Sequence, residues 1–162
     1  MKRTGLPYSE GCFVCGTQNP MGLKLKFHRD KNKIITEFIS NENHQGYKGL
    51  VHGGILSTLL DEAMGWAPTL LTRRMTVSAE ITIRFVKPVP LGKKVIVTTQ
   101  AKKLNRRLFT STGEISDEEG TIYVMGFGKF IPLSEKKTKE VDAWLLYDDK
   151  TLRIFDEKNP LA

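Results

Sequence analysis

No stretch of 18 or more apolar residues occurs in the 162-residue chain, so nothing in it reads as a membrane-spanning helix. The opening MKRTGLPYSEGC is basic but lacks an apolar core; it does not read as a secretory signal, and a cytoplasmic protein is expected. Cysteine is scarce: Cys12 and Cys15 are the only two, and they form a single Cys-x-x-Cys. Four-ligand zinc sites need a second such pair or a His pair, and only the isolated His28 and His44 could add to this one. CFVC is therefore read as a Gly-flanked turn with two reduced thiols, and neither metal nor cofactor is expected. Aromatic residues make up 9 % of the chain and do not interleave with its basic residues, and no helix-turn-helix spacing is present, so nucleic acid is not an expected partner. Internal repeats and low-complexity segments are absent too.

What the chain does have is an uneven positive charge. The net charge is +7, and residues 61–112 alone carry 10 Lys/Arg against 3 Asp/Glu, whereas residues 113–162 carry 7 against 11. A basic middle facing solvent attracts phosphate groups, and in the absence of a nucleic-acid motif it points to a small anionic ligand.

The apolar periodicity divides the chain into a lead segment (1–22), an α+β domain (23–132) and a charged, partly helical tail (133–162). GLKLKF (22–27) and KIITEFIS (33–40) alternate as strands of a hairpin. Positions 56, 59, 60, 63, 64, 67, 70 and 71 form a helical stripe over 55–71, with Pro68 expected to kink or shorten it. MTVSAEITIRFV (75–86) alternates again, with Met75, Val77, Ala79, Ile81, Ile83 and Phe85 on one dry face and Ser78 on the polar face. Three further strand-like runs, 95–104, 108–116 and 121–131, are joined by hairpin-length links. One long helix and a curved antiparallel sheet bury each other's apolar faces, and the sheet edges invite a second copy.

The stretch YKGLVHGGILSTLLDEAMG (47–65) carries the chemistry. His52-Gly53-Gly54 opens the helix, where unpaired N–H groups and the helix dipole favour negative charge and glycine admits another molecule's oxygen. Asp61 and Glu62 fall on opposite flanks of the far side of the apolar stripe, about 100° apart. Asp61 shares its side with Ser57 and Gly65, so a ligand can approach it. Taken alone, either acid reads as a solvated helix face. An anion hole preceding an outward carboxylate by two turns is, however, an arrangement suited to acyl transfer. Glu62 points elsewhere and ranks well behind Asp61.

At these residues the chain resembles the hotdog-fold acyl-CoA thioesterases of the phenylacetate-pathway and 4-hydroxybenzoyl-CoA type: VHGGILSTLLDEAMG is similar to their signature, and CFVCGTQNPMGLKLKF and ITIRFVKPVPLG to flanking segments. The likeness covers roughly residues 12–131. It implies a curved antiparallel sheet wrapped around one long central helix, a homodimer or dimer of dimers with sites at the subunit interface, and hydrolysis of an acyl-CoA to the free acid and coenzyme A. Carried over by position, Asp61 is the general base or nucleophile, the Gly53 N–H polarises the thioester carbonyl, His52 shapes the loop, and Ser78 positions water. Gly54 belongs to the same substrate-binding turn. Where some relatives place Asn or Gln, six residues before the His, this chain has Gly46, with Gln45 and His44 beside it as substitutes. Lys103, Arg106 and Arg107, with Lys102, are the expected contacts to the coenzyme A phosphates; Arg73 and Arg74 are weaker candidates. Trp66, Met64 and Phe85 are candidates for the acyl pocket wall. The departure at Gly46 keeps a second possibility open, a non-catalytic acyl-CoA-binding or sensing module on the same fold.

Overall fold

The computed structural model describes residues 3–155, so Met1, Lys2 and the last seven residues of the expected tail lie outside the described residues. Its strands are β1 (Thr4–Gly5), β2 (Tyr8–Ser9), β3 (His28–Asp30), β4 (Lys33–Ile39), β5 (Thr76–Phe85), β6 (Lys94–Leu104), β7 (Phe109–Ser116), β8 (Ile122–Pro132) and β9 (Leu145–Leu146). Its helices are α1 (Gly53–Thr72) and α2 (Glu135–Asp142). Seven strands form one antiparallel sheet in the order β1-β3-β4-β6-β7-β8-β5, and β2 pairs with β9 outside it.

Helix α1 lies across the concave face of this sheet, touching β4 through β8. Its stripe of Leu56, Leu59, Leu60, Ala63, Met64, Ala67 and Leu70 is buried, as the period of 3.6 requires. Each of the larger of these side chains stabilises the fold by about 1.5–3 kcal/mol relative to exposure. Pro68 does not shorten the helix: one more turn follows, in which the Thr72 hydroxyl donates to Pro68 O at 2.8 Å. The helix stops where Arg73 turns left-handed, at φ 54°. Among the described residues no helix is long and apolar enough to cross a membrane.

Two expected strands differ from the reading of alternation. In 22–27 Leu25 and Phe27 are buried and Lys24 and Lys26 exposed, yet the segment is not part of the ladder. Lys24 takes a φ of 55°, and Leu23 and Leu25 donate to Phe13 O and Val14 O at 2.8 and 2.9 Å. The run thus pairs with the Cys-x-x-Cys turn, and the hairpin partner of β4 is the short β3.

The second difference is in β5, where the register against β8 shifts between Ser78 and Glu80. A bulge moves every side chain on one side of it to the opposite face. Val77 therefore pairs with Ile131 on the outer surface, while Thr76 and Ser78 face α1, and beyond the bulge Ile81 pairs with Gly128. The single dry face of Met75 through Phe85 does not exist, and Ser78 is not on the polar side.

Candidate active site

His52 caps α1. Its Nδ1 accepts from the Gly54 N–H at 2.9 Å, and its own N–H donates to His44 O at 2.8 Å, tying the helix start to the preceding loop. Gly53 keeps the first helical N–H, which has no acceptor among the described residues. Both glycines sit close to side chains: a Cβ on Gly54 would lie 2.9 Å from His52 Nδ1, displacing the capping ring, and one on Gly53 would lie 3.1 Å from the Phe85 ring. The free donor opens into a cavity of about 760 Å³ whose lining includes Gln45, Tyr47, Phe85 and Lys87. Gln45 Oε1 already accepts from Gly49 N–H at 2.8 Å, leaving its amide NH₂ for a ligand.

Two turns further on, Ser78 Oγ donates to Asp61 Oδ1 at 2.5 Å. The β5 bulge makes this contact possible by turning Ser78 toward the helix, and Asp61 keeps Oδ2 free to accept from another donor. This pair lines a second, smaller cavity of about 200 Å³ with Glu62, Gly65, Trp66 and Phe130. Asp61 follows Gly53 by eight positions, which separates them by about 12 Å along the helix. One carbonyl cannot reach both within a chain, and the two cavities share no residue.

A model of the thioesterase superfamily matches residues 48–124, which hold α1, β5, β6, β7 and the start of β8. Acyl-coenzyme A thioesterase 13 of Homo sapiens is 31 % identical over 97 residues, 58 % of this chain and 69 % of that protein. The chain belongs to the thioesterase superfamily. Acyl-coenzyme A thioesterase THEM4 of Bos taurus is 32 % identical over 129 residues, 78 % of this chain but 53 % of the relative, so the chain spans about half the length of that protein. In fold it is similar to zebra fish thioesterase superfamily member 2, with a TM-score of 0.64 at 22 % identity over 72 % of this chain and 89 % of that one. Sheet and helix are those of the hotdog fold of this superfamily.

Within that fold Lys102, Lys103, Arg106 and Arg107 are exposed at the β6–β7 hairpin tip, and none of them lines either site cavity. The register row Ser78–Phe130–Phe109–Leu104 nonetheless sets this tip at the same end of the sheet as Asp61. Arg74 is engaged elsewhere, its Nε donating to Leu133 O at 2.8 Å. Met64 is core, Trp66 and Phe85 line the small and the large cavity respectively, and Lys87 is a cation at the large cavity that the sequence reading passed over. Its place in FVKPVP, just past the strand that reaches the helix start, was the available signal.

Glu62 is more than a solvated acid. Cys12 Sγ stands 3.2 Å from Glu62 Oε2, with Cys15 beside them. Burial pushes the Glu62 carboxyl up to about 8, while the Cys15 thiol and the backbone N–H groups of the turn bring Cys12 down to about 5. His44, caught between Asn41 N–H and the Phe38 ring, has its pKa lowered by burial.

Proposed function

We propose that two copies of this chain form a thioesterase that hydrolyses an acyl-CoA to the free acid and coenzyme A, each site taking Gly53 from one copy and Asp61 from the other. The reading rests on the Ser78–Asp61 contact: a carboxylate held by one oxygen beside an open cavity, too far from its own chain's helix start to share a carbonyl with it. The exposed edge strand β5 supports the two-copy arrangement, because Val77, Ile81 and Phe85 are 49 %, 37 % and 54 % exposed in the single chain. Antiparallel pairing of β5 with its copy would cover this edge and run the two α1 helices side by side in opposite directions, start facing middle.

In the reaction Asp61 Oδ2 takes a proton from water as the water oxygen attacks the thioester carbon. The Gly53 N–H, at the positive end of α1, receives the developing oxyanion, and His52 holds that N–H in place by capping the next residue. Collapse of the tetrahedral adduct breaks the C–S bond, and the proton passes from Asp61 to the departing thiolate. Gln45 shapes the carbonyl end of the cavity, and Gly54, which does not line it, serves the site by holding His52. Lys87 and the hairpin cations Lys103, Arg106 and Arg107 receive the coenzyme's phosphates. The acyl chain lies against Phe85 and Trp66.

The test is Asp61→Ala, assayed for hydrolysis of a panel of aryl, short and long acyl-CoAs, beside calorimetry with a non-hydrolysable CoA thioether. General-base help is worth about 10²–10⁴-fold, so turnover falls by at least about two orders of magnitude while thioether binding survives. Unchanged turnover in the variant removes Asp61 from the mechanism. Tight thioether binding by a wild-type protein that forms no product favours the binding module instead.

A further inference from the structure

The second chemical cluster of the molecule is Cys12, Cys15 and Glu62, whose ligand atoms all lie within 4.8 Å of one another. The turn that carries the two thiols is built tightly. Val14 N–H donates to Cys12 Sγ at 3.3 Å, and Gly16 N–H donates to Cys12 O at 3.0 Å. A Cβ on Gly16 would sit 2.3 Å from Cys12 O, so only glycine lets the chain fold back this closely. Backbone bonds brace the turn from outside: Cys12 N–H donates to Ser9 O at 3.0 Å, and Leu23 N–H to Phe13 O at 2.8 Å. The braced turn sets both thiols against the middle of α1, where the third donor is the half-buried Glu62.

We propose that Cys12 Sγ, Cys15 Sγ and a Glu62 carboxylate oxygen form a binding site for a thiophilic divalent cation of the Zn²⁺ class, with a fourth position left to water. Tetrahedral zinc with bonds of about 2.3 Å to sulfur holds its ligand atoms some 3.5–3.8 Å apart, so a cluster within 4.8 Å needs to contract by at most about 1.3 Å. Two thiolates select zinc or cobalt over magnesium or calcium, which want oxygen alone. The alternative chemistry, a Cys12–Cys15 disulfide, would join the two sulfurs and take the Cys12 thiol away from Glu62 Oε2, whereas a cation uses all three donor groups at once. Glu62 also lines the small cavity with Asp61 and Ser78, so the ion would fasten the lead segment to the helical turn that carries Asp61. The site acts as a clamp there, and it stands independently of the hydrolytic reading. The separation in sequence between Cys12 and Glu62, 50 residues, is why spacing alone gave no third ligand.

The experiment uses the full-length protein, stripped with chelator under reducing conditions and titrated with Co²⁺. One equivalent per chain is expected, with sulfur-to-cobalt charge-transfer bands and the visible bands of tetrahedral cobalt, both abolished by displacement with Zn²⁺. Zn²⁺ also slows alkylation of Cys12 by iodoacetamide, and chelator restores it. Loss of an outer-shell partner already costs roughly 10–100-fold in affinity, so Cys12→Ser and the isosteric Glu62→Gln each weaken Zn²⁺ binding by at least that much. Circular dichroism of the Glu62→Gln protein establishes that it is folded. Substoichiometric binding at micromolar Co²⁺, spectra without thiolate bands, affinity unchanged in both variants, or a Cys12–Cys15 disulfide in freshly isolated protein each overturns the proposal.

Discussion

Ser78 and Asp61 form the most specific side-chain contact in the candidate site, and their bond separates positioning from chemistry. If Ser78 only holds the carboxylate, Ser78→Ala removes one charge-assisted hydrogen bond, worth about 1.5–3 kcal/mol. That corresponds to a fall of roughly 10–100-fold in kcat, with KM little changed, and a smaller loss than in Asp61→Ala. Steady-state kinetics on the two variants and their double mutant checks it: the double mutant should be no worse than Asp61→Ala, because Ser78 acts through the group already removed. A second residue-scale prediction concerns Asp117, which is buried at the β7–β8 turn. Burial alone would push its carboxyl up. Lys93 Nζ at 3.0 Å, Thr121 N–H at 2.8 Å and the Tyr123 hydroxyl at 2.9 Å outweigh that and hold it well below the carboxylate range. A carboxyl whose pKa is depressed in the folded state contributes stability above its unfolded value, 3.8, and loses it as pH falls toward the folded one. Denaturant titrations should therefore show wild-type stability dropping below about pH 4, with a shallower drop in Asp117→Asn, which starts from a lower plateau at neutral pH.

Among the elements, α1 was almost wholly legible: its stripe, its glycine opening and the outward side shared by Asp61, Ser57 and Gly65 all follow from a period of 3.6. The long strands after it were legible in extent for a similar reason, since alternation is local. The β5 bulge was not, because a bulge is a property of two strands, and nothing inside TVSAEITIRF tells which residue β8 will leave unpaired. Pairing also decided the fate of 22–27, whose alternation is correct for burial and wrong for partner. The Glu62–Cys12 contact was hidden by distance along the chain alone. Beyond the bulge, Ile81 sits on the helix side of an edge strand that has a neighbour on one flank only, and is 37 % exposed. A lysine there costs the isolated chain little but blocks an approaching edge, as charged edge residues do in natural sheets. Ile81→Lys is expected to shift sedimentation from dimer to monomer while thermal unfolding moves only slightly. A wild type that sediments as a monomer at assay concentrations would end the two-copy reading.

For the molecule as a whole, the two cavities on one helix are what the proposed reaction turns on, since one holds the Gly53 N–H, the other the Asp61 carboxylate, and neither holds both. A site divided in this way makes a prediction that a single-chain site cannot reproduce. Asp61→Ala leaves the helix start intact, and Gly53→Val, whose side chain would press on the Phe85 ring, leaves Asp61 and Ser78 intact. Each variant alone has two defective sites per dimer. Unfolded and refolded together in equal amounts, they form hybrids in which the Gly53 of the first chain meets the Asp61 of the second, giving one intact site per hybrid. With random pairing half of the dimers are hybrids, so about a quarter of wild-type turnover returns. The wild-type KM should return with it, because the recovered site is complete in every group. If the mixture stays as inactive as its parents while sedimentation confirms hybrid dimers, the helix start and the carboxylate do not serve one carbonyl across the interface.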